Sequence, residues 1–212
     1  MRNLSFVSLL FLLLVTGCSS LKPAGLKPCR TTDTTGIIGK SPFTGTYEKM
    51  LFRAAMDIRD QRLTGLILVK KTSDTVTHVF FSNEIGMTYF DFIMKDDGFI
   101  PEYCFEPMNK KALIGIFRTC FELMLDYNIG EDGRKFYCDR STGAVVVSGT
   151  SGRYKTWSGR SSETGSIFIN GKTNFSDKTF ISFSNFTAGV PSSVIIENPF
   201  INLKMQLQMI SF

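Results

Sequence analysis

Histidine and the common catalytic motifs are scarce in this chain of 212 residues, which contains one histidine, His78. It has no H-E-x-x-H, G-x-S-x-G or C-x-x-C sequence, so no zinc-protease site, hydrolase elbow or thioredoxin-like redox pair is indicated. His78 alternates with Val76 and Phe80 on a predicted strand, where a structural or surface role is the simpler interpretation. We therefore expect no enzyme activity, no catalytic residue, no metal and no cofactor.

A strong excess of charge of either sign is also missing. The chain has 24 Lys and Arg against 19 Asp and Glu, a net charge of +5. This excess is compatible with anionic lipid head groups but is too small to indicate a nucleic-acid partner. The densest basic stretch, "RYKTWSGR" (Arg153–Arg160), is either a solvated strand face or a lipid contact that uses Trp157.

The first twenty residues have the layout of an export signal. Met1, Arg2 and Asn3 precede an apolar run of about a dozen residues, which suits a signal peptide and is short for a membrane-spanning helix. The run ends in Val15-Thr16-Gly17-Cys18, which resembles the bacterial lipobox. An ordinary secretory signal cut near Ala24 is the alternative.

The lipobox resemblance implies cleavage before Cys18, a diacylglycerol on its thiol and an acyl chain such as palmitate on the new amine. Several acyl chains on one residue anchor a protein stably to a membrane. Ser19 after the cysteine implies sorting to the outer membrane, and we expect the periplasm-facing side. The predicted organisation is therefore a signal peptide (1–17), a lipidated and flexible tether (18–46) and one domain (47–212), present as a monomer.

Four further cysteines are Cys29, Cys104, Cys120 and Cys138. An even number in an oxidising compartment permits disulfides, but the spacing leaves the pairing open. Cys104 and Cys120 fall in apolar runs and are equally compatible with buried thiols.

Most of the domain alternates apolar and polar residues with a period of two, which predicts antiparallel strands. Phe52, Ala54, Met56 and Ile58 share one face of the first strand. Hairpins are predicted across 72–74 and at Asp97-Gly98, and Asn170-Gly171 is predicted as a turn. Further strands are predicted near 135–140, 144–148, 154–157, 166–169, 179–186 and 201–209.

One segment, "MNKKALIGIFRTCFELMLDYN", has helical periodicity instead. Asn109 is the predicted N-cap, and Asn128 or Gly130 the predicted end. The apolar positions Leu113, Ile116, Phe117, Cys120, Phe121 and Met124 recur on one face. The fold class that follows is α+β and mainly antiparallel β, a curved sheet or half-barrel with an inserted amphipathic helix as lid or plug. Whether its interior is hollow or filled stays open at this point.

This arrangement resembles the LolB/LolA lipoprotein-carrier family over roughly 63–125 and again over 191–210. The stretch "SNEIGMTYFDFIMKDDGF" is similar to the family's strand, protruding loop, strand and hairpin before the helix. The closing "VPSSVIIENPFINLKMQLQMI" is similar to its last pair of strands. The chain departs from the family pattern in two places. Residues 31–46 are poor helix formers where the family has a helix, and Glu84 stands where the family has proline.

The resemblance implies a protein that binds acyl chains or another hydrophobic ligand, accepts lipoproteins and inserts them into the outer membrane as a chaperone of protein transport. A periplasmic carrier protein is the implied partner. The membrane-insertion loop would be Ile85 and Gly86. The expected hydrophobic cavity is lined by apolar strand and helix residues: Phe52, Met56, Phe80, Phe90, Phe92, Leu113, Phe117, Met124, Leu203, Met205 and Leu207. The alternative is a non-enzymatic envelope scaffold with a filled core that acts through protein partners.

Overall fold

The structure is a computed structural model that describes residues 26–29, 40–43, 47–96, 98–125, 134–138, 145–151, 154–161, 164–173 and 178–211. The predicted signal peptide and Cys18 lie outside these residues, as do the predicted helix ends at Asn128 and Gly130. Within them, no helix has the length and hydropathy needed to cross a membrane.

Thirteen strands form one antiparallel sheet in the described residues, which is curved and not closed. The strands are β1 (Lys27–Pro28), β2 (Lys49–Ile58), β3 (Gln61–Ser73), β4 (Val76–Ser82), β5 (Thr88–Lys95), β6 (Gly98–Cys104), β7 (Lys135–Cys138), β8 (Val145–Ser151), β9 (Tyr154–Arg160), β10 (Ile167–Lys172), β11 (Lys178–Thr187), β12 (Val190–Asn198) and β13 (Leu203–Ser211). Their order is β1-β7-β8-β9-β10-β11-β12-β13-β2-β3-β4-β5-β6. The predicted fold class, α+β with a curved antiparallel sheet and one helix, is therefore confirmed.

The period-two pattern decides which side chains point into the concave face. On β2, Phe52, Ala54, Met56 and Ile58 are buried while Arg53 between them is exposed. The hairpins β3–β4 and β5–β6 pair as the sequence predicted. Alternation of this kind buries one face of a strand and leaves the other to solvent.

The single α-helix in the described part, α1 (Lys111–Leu125), covers the concave face. Its predicted apolar side is confirmed, because all six of the predicted residues are buried: Leu113, Ile116, Phe117, Cys120, Phe121 and Met124. The predicted N-cap is wrong. Asn109 belongs to a 3-10 turn over Glu106–Met108, and its N–H donates to the carbonyls of Phe105 and Glu106, so the α-helix begins two residues later.

The turn predicted at Asn170-Gly171 is also wrong, since both residues lie inside β10. A Cβ on Gly171 would lie 2.9 Å from Leu123 Cδ2 and closer still to Cδ1. Glycine lets Leu123 of α1 pack directly on the strand backbone here. The same residue type marks both turns and close approaches of this kind.

Residues 26–29 and 40–43, which are the described parts of the predicted tether, pack against the domain. β1 pairs with β7, and Cys29 forms a disulfide with Cys138. Further along, Phe43 is fully buried, with its ring 6.0 Å from that of Phe52 and 5.7 Å from that of Phe183. The prediction of a flexible tether is therefore wrong for these residues.

The free edges of the sheet are poor templates for further pairing. β1 has only two residues. At the other edge, β6 carries Pro101 at an irregularity in its pairing with β5. Proline cannot donate a backbone hydrogen bond, so it interrupts the row of donors that another chain would use.

The disulfide should contribute much of the stability, because Cys29 and Cys138 are 109 residues apart. Closing a loop of about 100 residues removes roughly 4.7 kcal/mol of unfolded-state entropy in the chain-entropy model. We expect Cys29→Ser/Cys138→Ser to lower the free energy of unfolding by several kcal/mol, measured by urea denaturation. Cys104→Ser, which removes a free thiol, is the control, and equal stability of the two variants would contradict the assignment.

Candidate functional site: a filled concave face and a protruding loop

The concave face is lined mainly by aromatic, methionine and branched aliphatic side chains that form one contiguous buried cluster. The rings of Phe90 and Phe92 stack with centroids 4.4 Å apart. Phe117 of α1 lies 5.5 Å from Phe90 and 6.0 Å from Phe92. Such stacked and tilted ring contacts stabilise the packing beyond the area that they bury.

Ten of the eleven predicted cavity residues are buried in this cluster: Phe52, Met56, Phe90, Phe92, Leu113, Phe117, Met124, Leu203, Met205 and Leu207. The assignment of Phe80 to the concave face is wrong. Val79 and Phe81 are fully buried, whereas Phe80 is half-buried on the opposite face of β4. The two consecutive phenylalanines do not themselves reveal which one points inward.

Three cavities in the described part of the chain lie away from the centre of this cluster. The largest of three, about 820 Å³, is bordered by Lys40, Ser41, Arg160, Ile167 and Phe186. Leu113 borders one of about 230 Å³ and Leu207 one of about 420 Å³. The other eight buried residues of the predicted cavity border none of the three and are each at most 2% exposed, so the concave face is filled around them.

Polar contacts hold α1 in place at its C-terminal half. Glu122 is buried, and its carboxylate accepts a hydrogen bond from Arg118 Nε at 2.7 Å and another from the Tyr154 hydroxyl. Ser41 donates to the Met124 carbonyl at the end of the helix. A buried carboxylate is tolerated only with such partners, so these contacts tie α1 to β9 and to the segment that carries Phe43.

The two free thiols in the described residues are poor nucleophiles. Burial raises the pKa of Cys120 to about 12 and that of Cys104 to about 11. Both are therefore protonated at neutral pH, and the thiol form is unreactive. No group of three or more His, Cys, Asp and Glu in the described part is placed to hold a metal ion.

The loop between β4 and β5 presents Ile85 to solvent, with 91% of its surface exposed. Asn83 Oδ1 accepts hydrogen bonds from the N–H groups of Ile85 at 3.2 Å and Met87 at 2.7 Å. Gly86 adopts φ 89°, a conformation that glycine takes without strain. The loop is thus held by its own hydrogen bonds, and Ile85 protrudes because of that geometry.

Ile85 and Gly86 were predicted from the sequence as loop residues, whereas the supporting roles of Asn83 and Gly65 were not. Asn83 could have been found, because asparagine side chains commonly bond backbone N–H groups two residues on. No pattern in the sequence indicated a role for Gly65. A Cβ on Gly65 would lie 2.8 Å from Asn83 Cα and the Ser82 carbonyl carbon, and closer to the Ser82 oxygen.

No family model matches this chain, and no curated protein is significantly similar to it. These comparisons therefore give the lipoprotein-carrier resemblance no support.

We expect Gly65→Ala to destabilise the protein by about 1–3 kcal/mol, because the new Cβ meets backbone rather than a side chain that could rotate away. The variant should also shift the backbone resonances of residues 82–87. Gly98→Ala is the matched control, since nothing lies within 4 Å of its Cβ position. Equal unfolding free energies for the two variants would show that β4 does not press on β3 at this point.

Proposed function

We propose that this chain is a lipid-handling lipoprotein that is anchored through Cys18 to the periplasm-facing side of the outer membrane. It takes up acyl chains of lipoproteins, or of another lipid, beneath α1 and passes them to the bilayer. The observation that supports this most directly is a curved, unclosed sheet whose concave face is lined by apolar side chains and covered by one helix.

Uptake in this scheme requires displacement of the side chains that now fill the concave face. Because α1 and Phe43 cover the concave face, both must move away from it before an acyl chain can enter. Met50, Met56, Met94 and Met205 are buried in the same cluster, and methionine adapts readily to the shape of a ligand. Exchanging one apolar environment for another needs no nucleotide, metal or cofactor, because the hydrophobic free energies nearly balance.

A second candidate is an envelope scaffold that binds protein partners through its surface. The ring packing among Phe90, Phe92 and Phe117 favours this candidate, because a core filled in this way needs no ligand. The two functions differ in what they predict for apolar probes.

The first test uses the chain without its first 18 residues and a fluorescent fatty-acyl probe. We expect saturable binding, with displacement by a triacylated lipopeptide near one-to-one stoichiometry. A non-acylated peptide of the same sequence is the control and should not displace the probe. Absence of probe binding by a folded sample would reject lipid uptake and favour the scaffold.

The second test changes Ile85 to Glu. Transfer of a bound lipopeptide to vesicles should fall about tenfold or more, because a carboxylate resists entry into the apolar part of a bilayer. Stability should change by no more than about 0.5 kcal/mol, because Ile85 is 91% exposed. Ile210→Glu is the matched control, since Ile210 is 50% exposed near the end of β13. Equal transfer rates for the two variants would show that the loop does not insert into the membrane.

A further inference from the structure

Three lysines lie side by side on the outer face of three neighbouring strands. Lys155 of β9 is directly opposite Lys172 of β10, which is directly opposite Lys178 of β11. Directly opposed residues have Cβ atoms about 4.5–5.5 Å apart, and like charges in that position destabilise a sheet. Within the described part of the chain, no carboxylate lies within ion-pair distance of any of the three. An anion over this row of three would relieve the repulsion.

The positive charge of the chain is concentrated in the sequence around this row. Residues 134–178 contain eight Lys and Arg against three Asp and Glu, a net charge of +5. The whole chain also has a net charge of +5, so the remaining residues are balanced. In this stretch Lys135, Lys155, Lys172 and Lys178 lie on the outer face of β7, β9, β10 and β11, so that face carries positive charge.

Two aromatic rings stand beside the lysines on the same face. Trp157 is two residues from Lys155 on β9, and its ring lies 5.1 Å from that of Tyr137 on β7. Both side chains are half-buried, which leaves part of each ring accessible. Tryptophan and tyrosine prefer the head-group region of membranes, where one part of the ring is wet and the other apolar.

The position of this face relative to the proposed anchor favours a membrane as its partner. β1 is hydrogen-bonded to β7, and the described chain begins at Leu26, only eight residues after Cys18. Eight extended residues reach roughly 28 Å at most. A lipid on Cys18 would thus hold β1 and its neighbours β7 to β9 close to the bilayer.

We propose that Lys155, Lys172 and Lys178, together with Trp157 and Tyr137, form a surface that docks on anionic phospholipid head groups. The lysines bind the head-group phosphates and relieve their mutual repulsion, while the two rings enter the interface. This inference rests on the proposed anchoring through Cys18. It goes beyond that function because it assigns the face of the domain that meets the membrane.

Trp157 is the only tryptophan in the chain, so its fluorescence reports this surface alone. The acylated protein is reconstituted into neutral vesicles and into vesicles with about one-third anionic lipid, each with and without brominated lipids. We expect a shift of Trp157 emission to shorter wavelength and quenching by bromine in the anionic vesicles only. Raising the salt to about 0.5 M should reverse both effects, since screening weakens such contacts.

The variant Lys155→Gln/Lys172→Gln/Lys178→Gln should reduce quenching in anionic vesicles to the level in neutral ones. At about fivefold per lysine, docking should weaken by roughly 100-fold. Lys49→Gln/Lys70→Gln/Lys95→Gln is the matched control, because it removes the same charge from β2, β3 and β5 and should behave as the wild type.

Equal quenching in neutral and anionic vesicles, or equal loss in both triple variants, would overturn the inference. Tighter binding of a single-stranded oligonucleotide than of anionic vesicles would also overturn it. Flotation with neutral vesicles tests the anchor separately. Flotation without the anionic shift of Trp157 rejects only this surface, whereas a shift without flotation supports the surface and rejects the anchor.

Discussion

The contact between α1 and the concave face of the sheet is the constraint on which the rest of the structure depends. A sheet that curves without closing leaves its inner apolar side chains open to water on one side. Here α1 covers them, with Phe117 against the phenylalanines of β5 and Leu123 against the bare backbone at Gly171. The Glu122 carboxylate, bound by Arg118 and Tyr154, fixes the helix against β9.

The sequence predicts what is local and periodic in this fold. Alternation in β2 and β13, the helical spacing of α1 and the hairpins β3–β4 and β5–β6 need only neighbouring residues for their interpretation. The sequence did not predict which residues of β4 point inward, because Phe80 and Phe81 are equally apolar and only the tertiary structure orients them. For the candidate site, Ile85 and Gly86 were predicted from the family resemblance, whereas the support from Gly65 depends on how closely β3 approaches the end of β4.

Long-range contacts account for the remaining errors. Phe43 and Cys29 lie in a stretch of polar and flexible composition, and their partners are on strands that no local pattern connects to them. Gly171 resembled a turn residue because the reason for the glycine, Leu123, is on another element. In each case the local signal was real, but a contact far along the chain decided the outcome.

The strand order gives the last strand of the chain a special place. β13 lies in the middle of the sheet, with β12 on one side and β2 on the other. In the strand pairing of the described residues, the two halves of the sheet, β1 with β7 to β12 and β2 to β6, are joined only through β13. Because β13 follows both halves in the sequence, the sheet cannot become continuous until β13 has been synthesised. Until β13 pairs with both neighbours, each half of the sheet keeps an edge strand, β12 or β2, whose backbone groups on that side are unpaired.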